Sequence, residues 1–202
     1  MISIDSMMNI ERNKIPEAAK SLTKEDIKQL VEWLSLKEND IRYQAFLLLQ
    51  KRSEISDDVY YYWDIFREKL KSDNSYQRSI GLMMIAENAR WDKEEKLEEA
   101  MEEYLEHLHD EKQITIRQCV QSIAKIILFK PELKELIINK LISMDLMAIQ
   151  ETMRKPILTD ILNVLLEIRK EHQSNEIDYF IMKALSGGIL DKKAKKLFQE
   201  RL

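Results

Sequence analysis

Apolar residues recur along this chain at helical spacing almost throughout. Ile27, Leu30, Val31 and Leu34 fall at i, i+3, i+4 and i+7, and Val59, Tyr62, Trp63, Phe66 and Leu70 repeat the spacing. So do Leu97, Ala100, Met101, Tyr104 and Leu108, and then Leu133, Leu136, Ile137 and Leu141. Each set predicts a helix with one apolar face and one face in water. Between them stand segments apolar over more of their circumference: residues 41–49 (IRYQAFLLL), 80–86 (IGLMMIA), 116–128 and 157–168. A helix that is apolar on two sides must lie between neighbours. One-sided and two-sided helices therefore alternate, as in stacked helical hairpins.

The punctuation agrees. Thr23 with Asp26, and Asp92 with Glu95, each set a capping oxygen three residues before a carboxylate, which predicts capping boxes. Pro131 and Pro156 suit the first turn of new helices, where a missing amide costs nothing. Gly187 and Gly188 end a helix, and Asp191 caps the last one. Residues 1–13 lack firm periodicity and are expected to be mobile, leaving 14–202 as one domain. Only three of the 202 residues are glycine. A sandwich or barrel needs a turn every 8–12 residues, and those turns favour glycine, so the expected fold class is all-α.

The two-sided helices share an internal repeat. Each carries an arginine near its start: Arg42, Arg78, Arg117 and Arg154, which are 36, 39 and 37 positions apart. Three positions after each stands Ala45, Gly81, Val120 or Ile157. This resembles the second helix of a HEAT repeat, with its loose pattern Asp-x-x-Val-Arg-x-x-Ala. The resemblance implies a right-handed α–α superhelix, HEAT- or armadillo-like, of about five antiparallel hairpins. Residues 72–82 and 85–92, with Tyr104, Leu105, Asp110–Lys112 and residues 116–119, are similar to a narrower family. That family comprises HEAT-like proteins of Gram-positive, clostridial-type bacteria, often labelled "SufBD protein". The resemblance spans residues 22–170 or so. The iron–sulfur assembly proteins which that label names are β-helical, and this chain has neither their glycine content nor their strand pattern.

Charge narrows the function. The net charge is −4, from 32 basic and 36 acidic residues, whereas nucleic-acid binders draw most of their affinity from a basic surface. Residues 91–112 hold ten acidic and three basic side chains, and residues 183–202 hold six basic and two acidic. The first run reads as a solvated outer helix. Lys192, Lys193, Lys195 and Lys196 in the second read as a polar cap that favours a monomer. The lone Cys119 excludes an internal disulfide and reads as a buried thiol. No apolar run approaches a membrane span and no signal peptide opens the chain, so the expected location is the cytoplasm.

No metal, cofactor or catalytic motif stands out. His107 and His109 are two apart and cannot share a helix face. His172 stands alone. Trp33, Tyr62, Trp63, Phe66 and the ten methionines read as core, while Tyr60 and Tyr61 read as exposed contacts. The repeated arginines have two readings. In HEAT arrays an arginine here commonly bonds a nearby aspartate, for which Asp40, Asp73 and Asp110 are available. Alternatively, Arg42, Arg78, Arg117 and Arg154 line a concave binding face with Tyr76, Gln77, Gln118 and Trp91. The expected function is a non-catalytic scaffold for a protein or peptide partner, with no cofactor. The competing expectation is a DNA-binding protein of the alkylation-repair glycosylase type, in which Arg42, Arg78 and Arg117 would contact phosphates.

Overall fold

The computed structural model describes residues 1–172 and 174–202 and is all-helical, with no strand among the described residues. The chain divides into two compact units, Met1–Ala100 and Met101–Leu202. No described helix is long and apolar enough to cross a membrane.

The first unit contains α1 (Ile4–Met8), α2 (Ile15–Lys20), α3 (Lys24–Trp33), α4 (Asn39–Ser53), α5 (Trp63–Leu70) and α6 (Ser75–Asn88). Single 3-10 turns lie at Arg12–Lys14, Tyr60–Tyr62 and Ala89–Trp91. Helix α4 touches α1, α2, α3 and α6, and α5 packs along α6. Burial follows the apolar pattern. Helix α3 buries Ile27, Leu30, Val31 and Trp33 on one face, whereas α6 buries every residue from Arg78 to Asn88 except Met83.

The unit boundary falls within α7 (Lys96–Glu106). The second unit continues with α8 (Gln113–Phe129), α9 (Lys134–Ile142), α10 (Glu151–Arg169), α11 (Asn175–Ser186) and α12 (Lys192–Gln199). Here α10 takes the central place, touching α8, α9 and α11.

Side-chain hydrogen bonds tie residues about one repeat apart. Gln44 donates to the carbonyls of Met7 and Ile10, Gln50 to Glu87, and Trp91 to the carbonyl of Ser53. In the second unit, Lys134 reaches Glu171, and Arg117 reaches Asp160. These separations run from 34 to 43 residues.

Several local expectations need revision. Within residues 1–13, Ser3 and Ser6 form a capping box on α1, Met7 is fully buried, and the Ile2 amide donates to Asp26 at 2.5 Å. Five residues of helix are too short to show a period, which is why the pattern was silent. Thr23 and Asp26 form the expected box. Burial works to raise the Asp26 pKa, yet the bonds from Thr23 and Ile2 outweigh it and hold the carboxyl below its ordinary range. Asp92 does cap α7, but from further away. Its carboxylate accepts the amides of Lys96 and Leu97, because the chain first passes through a left-handed Glu95 at φ 58°. Pro156 lies inside α10 rather than at its start, since Glu151 opens the helix. Gly187 ends α11 in extended backbone, without a left-handed cap. Among the methionines, Met7, Met84, Met101 and Met144 are core, while Met8, Met147 and Met182 are exposed. Tyr61 is exposed as expected, but Tyr60 is buried and donates its hydroxyl to Asp92 at 2.7 Å. Burial and that carboxylate push the Tyr60 phenol far above its usual pKa.

The α5–α6 contact is close because of Gly81. A Cβ there would lie 2.7 Å from the Phe66 carbonyl oxygen and 3.1 Å from a Leu70 methyl. Alanine would bring about 1 kcal/mol of helix propensity. Overlap with a backbone atom outweighs that gain. Gly81→Ala is therefore expected to destabilise the protein by about 1–2 kcal/mol in urea unfolding. Gly188→Ala, which meets no atom within 4 Å, should be neutral or slightly stabilising. Equal midpoints for the two variants would contradict this account of the packing.

Candidate functional site

Three of the four repeated arginines are turn clamps. Arg42 Nη1 donates to the carbonyls of Leu36 (2.8 Å) and Lys37 (3.4 Å), and Nη2 to the side-chain oxygen of Asn39. Arg78 Nη1 donates to the carbonyls of Ser72 (2.8 Å) and Asp73 (3.0 Å). Arg154 donates to the carbonyls of Ile149 and Met147, both at 2.9 Å. Each of the three donates to backbone carbonyls of the preceding turn.

The reason is positional. Arg42, Arg78 and Arg154 are each the fourth residue of their helix. Helical side chains lean toward the N-terminus, so the fourth residue reaches back to the turn before it. Arg117 is the fifth residue of α8 and points about 100° away. It forms a forked pair with Asp160 of α10, Nε to Oδ2 at 2.6 Å and Nη2 to Oδ1 at 3.2 Å. That hydrogen bond chiefly raises the Arg117 pKa further. The true counterpart of Arg42 and Arg78 in α8 is Ile116, which makes Cys119 the small residue three positions on. Its buried thiol lies 3.5 Å from the Tyr104 carbonyl, just as Gly81 abuts that of Phe66. Burial raises the thiol's pKa strongly, with the charge of Asp110 adding to the effect.

The expected binding face comes together only in part. Trp91 is half-buried, with its indole N–H donated to Ser53 at the far end of α4. Eleven residues of helix set that end roughly 16 Å from Arg42. Arg117, half-buried Gln118 and Arg154 belong to the second unit. Arg42, Tyr76 and Gln77, by contrast, line one groove of about 810 Å³ in the first unit. Ser35, Leu36, Lys37 and Asn39 line it from the α3–α4 turn, and Lys69, Lys71, Ser72 and Asn74 from the α5–α6 turn.

Its centre is Lys69, which pattern reading missed. Lys69 and Arg42 are each only 8% exposed. The Lys69 ammonium donates to Ser35 Oγ (2.8 Å) and Gln77 Oε1 (2.5 Å), and the Gln77 amide donates to the Leu34 carbonyl (2.8 Å). Tyr76, 62% exposed, lies over the Arg42 guanidinium, 5.4 Å from its ring centre. Neither cation has a carboxylate partner. The one carboxylate in the lining, Glu68, is 3.8 Å from Lys71. Burial, then the charge of Arg42, pushes the Lys69 pKa down from 10.5 to about 8. A sequence signal for Lys69 existed: it stands three residues after Phe66, on the buried side of α5.

The second unit has an apolar groove of about 440 Å³ between the α9–α10 turn and α11, lined by Ile142, Met147, Leu158, Tyr179 and Phe180. Among the described residues, no three His, Cys, Asp or Glu side chains are grouped to hold a metal ion. No protein-family model matches the chain, and no curated protein matches it.

The Lys69 environment makes a signed prediction. Unfolded, Lys69 keeps its proton up to pH 10.5; folded, it releases it near 8. Between those values the unfolded chain binds more protons, so folding stability rises with pH. Relative to Lys69→Met, the wild type should gain up to about 3 kcal/mol between pH 8 and 10.5, and nothing below 8. Urea unfolding of both proteins across that range measures it. The Lys69 Cε resonance should titrate near 8, and a midpoint above 10 would remove the basis of the argument.

Proposed function

We propose that this chain is a non-catalytic helical-repeat scaffold of the HEAT-like kind, which binds a segment of a partner protein in the groove of its first unit. On this reading its helix pairs form a right-handed α–α superhelix, and it works in the cytosol as single copies. The resemblance of residues 22–170 to the clostridial-type HEAT-like family belongs to the same proposal. The observation that carries it is the groove itself. An exposed tyrosine, a buried guanidinium, a buried ammonium and a glutamine converge from two successive helix pairs. A flat aromatic beside fixed hydrogen-bond donors is the mixture that anchors peptide segments at interfaces. The side-chain bonds spaced about one repeat apart support the repeat reading.

The arginines are unsuitable probes, because removing a clamp leaves turn carbonyls without their donors. Tyr76 is suitable, its side chain being exposed and held through its ring face. Tyr76→Ala should lower stability by no more than about 1 kcal/mol. Affinity for the partner should fall by more than about tenfold, as for an interface anchor. Crosslinking in lysate of the native host, wild type against Tyr76→Ala and Tyr61→Ala, provides the measurement. Tyr61, 80% exposed and outside this groove, is the control. A partner lost equally from both variants, or from neither, would exclude this groove. Duplex DNA binding with a steep salt slope would instead support the glycosylase-type reading.

A further inference from the structure

We infer that the groove of the first unit is a receptor for a dianionic phosphoryl group, carried on a phosphorylated side chain of the partner protein. The inference rests on the scaffold reading for the peptide and on the groove's own geometry for the phosphate.

Two buried cations share this groove without a counter-ion. The Lys69 ammonium is satisfied only by neutral oxygens, those of Ser35 and Gln77, and Arg42 only by carbonyls, an amide oxygen and a ring face. Hydrogen bonds to neutral groups orient a buried charge but do not cancel it. The other charged groups lining the groove do not cancel it either. Lys37 from the α3–α4 turn adds to the positive field, and Glu68 and Lys71 at the end of α5 offset each other. Donors are also left over. Lys69 spends two of its three N–H groups, and Arg42 spends three of its five. The first turns of α4 and α6 contribute Asn39, Arg42, Tyr76 and Gln77 to the lining, so two helix N-termini add partial positive charge.

Charge selects the ligand. Two uncompensated cations match a phosphate monoester, which carries close to two negative charges at neutral pH. A carboxylate carries one charge, as does each phosphodiester of a nucleic acid. The volume, about 810 Å³, exceeds what a bare phosphate fills and leaves room for flanking residues beside Tyr76.

The test follows the Lys69 Cε resonance by NMR at pH 7.5 and constant ionic strength. The probes are inorganic phosphate, N-acetyl-phosphoserine amide, acetate and hexathymidylate. The inference expects saturable shifts with phosphate and tighter binding of phosphoserine amide. It also expects the Lys69 titration midpoint to rise when phosphate is bound. Lys69→Met and Ser35→Asp remove or neutralise the ammonium, and each should weaken phosphoserine-amide binding at least about tenfold, followed by calorimetry. Ser35 is exposed, so its variant should fold even if Lys69→Met does not. Shifts as large with acetate, or unaltered binding by Ser35→Asp, would overturn the phosphate site. Inorganic phosphate binding as tightly as phosphoserine amide would overturn the peptide source, and hexathymidylate binding as tightly would transfer the site to nucleic acid. Phosphate binding with no protein partner captured would sink the scaffold reading while leaving the anion site in place.

Discussion

A chain with three glycines must turn its helices around without the left-handed caps that glycine supplies. Among the described residues no glycine has a positive φ. The turns still carry backbone carbonyls that need donors, since a buried carbonyl left unpaired costs as much as a lost hydrogen bond. Arginine at the fourth position of the following helix supplies them, twice in the first unit and once in the second. Guanidinium suits the task, because one planar group offers several N–H bonds to neighbouring oxygens at once. Turn shape, the start of the second helix and the register of each helix pair are thereby fixed together.

The same device creates the groove. Clamping with a cation instead of a glycine brings a permanent positive charge to each turn. Where the two turns meet in one groove, the lining holds the Arg42 clamp, and Lys69 adds its charge from the end of α5. Nothing in the clamp calls for Lys69. Its hydrogen bonds to Ser35 and Gln77 join the α3–α4 turn to α6, a task that an uncharged side chain could serve with less desolvation. A buried ammonium beside a buried guanidinium lowers stability unless an anion offsets the pair.

The all-helical class and the burial pattern of its helices were legible in the sequence. The 3.6-residue period separates one-sided α3 and α5 from the more fully buried α6 and α10, because burial is decided by which faces are apolar. Short-range chemistry was read with mixed success. Thr23 and Asp191 cap as their spacing implies, but Asp92 acts across a strained Glu95 that no spacing rule foresees. In α8 the arginine of the repeat, Arg117, stands fifth, and the residue in the fourth position is Ile116. Single-residue slips matter in a helix, where they turn a side chain by about 100°. The site was half legible. Arg42, Tyr76 and Gln77 were marked by the repeat, whereas Lys69 looked like one more surface lysine, its burial being decided by a helix pair more than thirty positions away.

The different position of the arginine in α8 also sets the two units apart. In the first, both clamps face their own turns, and Arg42 brings its guanidinium to the groove, where its hydrogen bonds go to carbonyls and an amide oxygen. In the second, Arg117 is turned onto α10 and met by Asp160, which also accepts from Gln121, so its charge is spent inside the fold. Arg154 keeps the clamp, but the groove beside its turn is lined by Met147, Leu158, Tyr179 and Phe180. One repeat pattern thus yields a cationic groove in one unit and an apolar one in the other. The difference follows from whether the arginine stands fourth or fifth in its helix and from what the neighbouring turn presents.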